Sequence, residues 1–211
     1  MSGLNEPSSP SPSSFSQDFV RLVESFGLSG IYGLARIRTW PALPDSDHVH
    51  LESENADGRT LSVTAMRRAE IPPRAVNTRW KVVADKHSGQ HRFVPIAPCV
   101  HAVAPEAQNW PSDTETSADR ENVSREHAEF AELFMALVID HGVADRFALT
   151  RLHRHFGMSD EEVLVERAVS HDRLHIDVVS RSTLTDEMPM LWQVDSSRAL
   201  KPIQYEVRGS C

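Results

Sequence analysis

Apolar residues recur at helical spacing in two places. Phe15, Phe19, Leu22, Val23 and Phe26 form one stripe; Phe130, Leu133, Phe134, Leu137 and Val138 form a second. Ser14 with Gln17 fits a capping box at the first stripe, and Gly27 and Gly142 stand where each helix would end. After each stripe the pattern changes to short apolar–polar alternation. It predicts strands over 31–40, 47–55, 60–68, 78–84 and 92–97, and again over 146–156, 162–169, 173–181, 190–195 and 200–207. Asp57-Gly58 and His171-Asp172 occupy positions where hairpin turns are wanted.

The two series line up. Phe15, Phe19, Leu22, Val23 and Gly27 fall on Phe130, Phe134, Leu137, Val138 and Gly142 at one offset. HVHLE (48–52) then falls on EVLVE (162–166), Trp80 and Val82 on Trp192 and Val194, and Pro95-Ile96 on Pro202-Ile203. The expectation is an α+β fold with an internal duplication. Each half would be one helix followed by an antiparallel meander of four to five strands, the halves packed about a pseudo-twofold axis. Residues 14–100 would form the first repeat and 127–211 the second. Residues 1–13 read as a disordered Ser/Pro leader, and the polar, Pro-containing stretch 101–126 reads as a linker.

Composition narrows the function classes. With 40% hydrophobic residues the 211-residue chain can build a sizeable core. A formal charge of -8 and a pI near 5.7 argue against nonspecific nucleic-acid binding, which needs a basic surface. No apolar run approaches the ~18 residues of a membrane span, and the N-terminus lacks the basic start and apolar core of a secretory signal. Cys99 and Cys211 make no disulfide framework, which fits a reducing cytoplasm. There is no GxSxG, phosphate loop or GxGxxG, so hydrolase and nucleotide readings lack support.

The candidate chemistry lies in the second half. Alternation puts Glu166 on one face of its strand, and His175 and Asp177 opposite the apolar Leu174, Ile176 and Val178. Arg151, His153 and His155 share a side of the strand before. A hairpin at 171–172 would set Glu166 opposite Asp177, giving one row of carboxylate, imidazole and guanidinium. Neighbouring carboxylates raise each other's pKa and an arginine lowers both, which suits proton transfer. Arg151 and Glu166 have first-half equivalents, Arg36 and Glu52, and read as framework. His153 and His155 correspond to Arg38 and Trp40, and Asp177 to Thr64, so a site confined to one half would use them. His-x-His on a strand also suits a metal, with His175, Glu166 or Asp177 as third ligand, but no regular ligand spacing supports it, and no metal or cofactor is expected.

LTRLHRHFGMSDEEVLVE, 149–166, resembles an LxxLHxHF…ExLVE phrase of uncharacterised small fungal proteins. It covers about 18 residues and implies no activity; the first half, with LARIRTW, departs from it. The expected function is cofactor-independent acid/base chemistry on a small organic molecule, as in an isomerase, cyclase or lyase. Asp177 or Glu166 would be the base, His153 or His175 the acid, and Arg151 with His155 would hold the substrate. Two alternatives stand beside it: a noncatalytic interaction module, and a His-x-His metal-dependent enzyme. A homodimer is compatible with all three.

Overall fold

The computed structural model describes residues 12–39, 42–55, 59–85, 88–100, 127–153, 156–170 and 173–207. Helix α1 (Pro12–Ser25) precedes strands β1 (Tyr32–Arg36), β2 (His48–Asn55), β3 (Thr60–Arg67), β4 (Val76–Ala84) and β5 (His91–Val100). Helix α2 (Ala128–Asp140) precedes β6 (Phe147–Arg151), β7 (Glu162–Ser170), β8 (Arg173–Ser180), β9 (Met188–Val194) and β10 (Leu200–Glu206). Leader residues 1–11, the linker 101–126 and both expected hairpin dipeptides lie outside the described residues.

The strands close into one barrel in the order β1-β6-β4-β5-β2-β3-β8-β7-β10-β9, with β1 also pairing β9. This overturns the expected α+β duplication of two helix-plus-meander units packed about a pseudo-twofold axis. The internal repeat does not correspond to two self-contained units. Strand β1 pairs with β6 and β9, β4 pairs with β6, and β3 pairs with β8, so the strands after each helix do not close a sheet of their own. Two of the pairings, β2 with β5 and β7 with β10, are parallel, which a simple meander does not contain. The physical reason lies in the strand edges. Two separate sheets would leave unpaired backbone groups at four edges, and closing them into one barrel pairs those groups.

Both helices lie against the outside of the same stretch of wall. Phe15, Phe19 and Val23 of α1 meet Phe130, Phe134 and Val138 of α2, with the Phe19 and Phe134 rings edge-to-face at 5.8 Å. Beneath them lie Tyr32, Leu34, Trp80, Val82, Leu149 and Val194 from the outer face of β1, β4, β6 and β9. The two apolar stripes therefore share one core. Each helix ends at a glycine with positive φ, Gly27 at 66° and Gly142 at 61°, a conformation that favours glycine. The amides of Leu28 and Val143 then reach back to the carbonyls of Val23 and Val138. Because α1 begins at Pro12, Ser14 lies inside the helix instead of capping it.

Register decides which residues face inward. Leu34 pairs with Leu149 and Trp192 on the helix-covered side, so their neighbours Gly33, Ala35, Ala148 and Thr150 point into the barrel. Across the barrel, Glu52 pairs with Val63 and Val63 with Leu174; Leu61 pairs with Ile176 and Ile176 with Glu166. Cross-strand partners share a face, so these form the opposite inner wall. An eight-stranded barrel is roughly filled by its own side chains, and ten strands with glycine and alanine on one wall leave room inside. Gly33 is needed there. A Cβ on it would lie 2.4 Å from the Trp192 carbonyl oxygen and 2.7 Å from Leu152 Cδ2.

Candidate functional site

At the centre of the barrel four charged side chains meet. Arg38, just beyond β1, has 2% of its side chain exposed; Glu52 has 4%, Glu166 1% and Arg79 7%. Arg38 Nη1 donates to Glu52 Oε1 at 2.7 Å. Its Nη2 donates to Glu166 Oε1 at 2.6 Å and its Nε lies 3.1 Å from both oxygens of Glu166. Gln204 Nε2 from β10 also donates to Glu166 Oε1. Burial by itself would lower the pKa of Arg38, but the two carboxylates outweigh it and hold the group above its ordinary value. Arg79 from β4 is less well matched. Its Nη2 lies 3.8 Å from the Glu52 oxygen that Arg38 already holds, and its buried Nε has no hydrogen-bond partner among the described residues. Burial and the charge of Arg38, set against Glu52 and Glu166, bring its pKa down to about 10.

A cavity of about 190 Å³ opens from this cluster. Glu52, Arg79, Thr150, His153 and Gln204 line its polar side, and Leu61, Met158, Leu164, Leu191 and Ile203 its apolar side. Arg151, Arg181 and Lys201 also border it. Such a mixture of apolar wall and few convergent polar groups is usual for a small-molecule site.

His153 follows the end of β6. Its Nδ1 lies 3.1 Å from the Arg151 carbonyl oxygen. A carbonyl can only accept, so Nδ1 carries the proton, and in the neutral ring Nε2 holds the lone pair. A nitrogen of this ring, a Glu52 oxygen and Cys99 Sγ all lie within 4.8 Å of one another. The donor set suits a soft divalent ion by residue type. The surroundings oppose one, because Glu52 already faces two guanidiniums and burial, then the charges of Glu52 and Glu54, push the Cys99 thiol well above its usual range. Charge complementarity is satisfied here by arginine.

The expected row of ionisable groups is split by the barrel wall. In the β7–β8 ladder Glu166 pairs with Ile176, and it is Val165 that pairs with Asp177. A shift of one residue reverses every side chain, so Glu166 points inward while Asp177 and His175 point outward. On the outer face His175 Nε2 lies 3.2 Å from Asp177 Oδ1, with Arg167 Nε 3.9 Å from Oδ2. Glu166, His153 and Arg151 are inside or at the cavity; His155 lies outside the described residues. Arg36, the expected framework arginine, meets Met188 Sδ, and the arginine that bridges the carboxylates is Arg38. Arg38, Arg79 and Gln204 are site residues that the sequence pattern does not single out. The available signal was weak: Arg38 stands between Arg36 and Thr39 near its strand, and Arg79 among Asn77, Thr78 and Lys81, so nothing in the pattern separates these arginines from surface charges.

No family model matches the chain, and no curated protein or solved structure matches it. No helix among the described residues is long and apolar enough to cross a membrane.

Proposed function

We propose that the barrel cavity binds a small organic molecule and moves a proton on it, in an isomerisation, cyclisation or elimination that uses no cofactor. The observation that carries this reading is the imidazole of His153 at the cavity wall, tautomerically oriented by the Arg151 carbonyl and close to the buried carboxylate of Glu52. His153 Nε2, itself buried in the wall, is the group assigned to take up and return the proton, and Glu52 stabilises the imidazolium that forms. Glu52 and Glu166 each accept hydrogen bonds from Arg38, which commits both carboxylates to the buried cluster. Glu166 and Arg38 hold Glu52 in place. Asp177 and His175, on the outer face, have no part in this chemistry.

The test is deuterium incorporation. Wild-type protein is incubated in heavy water with a panel of small carbonyl compounds and unsaturated acids, and exchange at carbon is followed by proton NMR. Exchange of one panel member by wild type, lost in His153→Gln at unchanged fold by circular dichroism, supports the assignment. Exchange that His153→Gln leaves at the wild-type rate refutes it.

A further inference from the structure

The cavity's positive charge is under-compensated, and this says what kind of molecule it takes. The side chain of Arg79 is only 7% exposed, yet the one carboxylate within 4 Å of it among the described residues is Glu52, at 3.8 Å, on an oxygen shared with Arg38; Glu166 acts on it from farther off. Arg181, in the turn after β8, is the second case. Its Nη1 donates to Tyr205 Oη at 3.2 Å and its Nη2 to the Pro202 carbonyl at 3.1 Å; its buried Nε has no partner, and no carboxylate pairs with it among the described residues. Both arginines line the same cavity. Of the three acids that line the cavity, Glu162 is held by Arg59 at 3.0 Å and Glu52 by Arg38, which leaves the exposed Asp160 to set against Arg79, Arg151, Arg181 and Lys201. A buried guanidinium without a close matching anion costs free energy, and this protein, acidic as a whole, keeps Arg79 in that state with the partly buried Arg181 at the same cavity.

We propose that the cavity selects organic monoanions, a carboxylate bound through the guanidiniums of Arg79 and Arg181 with its apolar body against Leu61, Leu164 and Leu191. A planar carboxylate matches the fork of a guanidinium. The apolar half of the lining favours a hydrocarbon body over a free inorganic ion. An anion beside Arg79 would also offset the burial and the Arg38 charge that now depress its pKa. This rests on the reading of the cavity as a ligand site, and it deepens that reading by naming the substrate class; it does not depend on the role of His153.

Isothermal calorimetry tests it with straight-chain and aryl monocarboxylates, each paired with its methyl ester, and with inorganic phosphate. The expected result is that acids bind, their esters bind at least roughly tenfold more weakly, and Arg181→Gln weakens the acids by roughly tenfold while leaving the esters unchanged. Arg181 is only partly buried, so this variant keeps the proposal testable if Arg79→Met does not fold; Arg79→Lys, which keeps the charge and loses the fork, should give an intermediate loss. Equal binding of acids and esters would overturn the anion assignment and leave the cavity a ligand site. Tighter binding of phosphate than of any carboxylate would overturn the choice of carboxylate. Failure of wild type to bind any acid, ester or phosphate would overturn this inference, and the ligand-site reading then stands or falls on the exchange experiment.

Discussion

Arg38 joins Glu52 to Glu166 across the inside of the barrel, at 2.7 and 2.6 Å, with all three side chains at most 4% exposed. One cation from beyond β1 thus fastens β2 to β7, strands 114 residues apart by the numbers of the two glutamates. The geometry makes Arg38 the member of the cluster whose loss should be felt most.

Arg38→Met should destabilise the fold by about 3–5 kcal/mol, because it takes from two buried carboxylates the guanidinium they share, with Gln204 still donating to Glu166. The double variant Arg38→Met/Glu166→Gln should recover part of that loss, since it removes one of the stranded charges. Urea unfolding followed by tryptophan fluorescence measures both. A single variant as stable as wild type would mean that the cluster is not held as a unit.

Asp177→Asn and His175→Gln should change neither stability, beyond about 0.5 kcal/mol, nor proton exchange, because both side chains lie on the outer face. His153→Gln should abolish exchange at similar stability. Loss of exchange in Asp177→Asn with His153→Gln unaffected would reverse the two assignments.

Gly33→Ala should cost about 1–3 kcal/mol. Its new methyl would meet the Trp192 carbonyl oxygen, a backbone atom fixed in the β1–β9 pairing, as well as Leu152. Leu152 also lines the cavity, so ligand affinity should fall with thermal midpoint. A thermal scan with and without a bound monocarboxylate separates the two effects.

Acid should weaken the tie between β7 and the turn before β3. Hydrogen bonds from Arg59 and from the Ser159 amide hold the Glu162 carboxyl down to about 2, against an ordinary value of 4.5. A depressed carboxylate contributes stability above its unfolded pKa and loses it as pH falls through the folded one. Wild type should therefore lose stability relative to Glu162→Gln between about pH 4.5 and 2, with no further divergence above that window. Parallel pH titrations of the unfolding midpoint check this; curves of identical shape in the two proteins would refute it.

Phe134→Ala should cost about 3–5 kcal/mol, since its ring is fully buried between Phe19 and Phe93 in the core shared by the two helices. Leu133→Ala, one position away on the exposed side of the same helix, should cost far less. Equal losses at the two positions would contradict the placement of α2 against the barrel wall.

The periodicities of the chain determined its local structure, because helix stripes and strand alternation are properties of a few residues in succession. The two helices with their glycine ends and the runs of strand were readable in this way, although Leu133, counted in the α2 stripe, lies on the exposed side. The partners of those strands were not. Pairing β1 with β6 and β9, and β3 with β8, is set by how the sheet closes and removes its edges, a condition on the whole chain. The site shared the same fate. His153, Glu166 and Arg151 were visible as ionisable residues in strands, but inward or outward direction depends on register, and one residue of slip sent Asp177 and His175 to the opposite face from Glu166. Arg38 and Arg79 became legible as site residues only once the closed barrel had brought them within reach of Glu52, because a buried charge is explained by its partner, and partners this distant in sequence are chosen by tertiary structure alone.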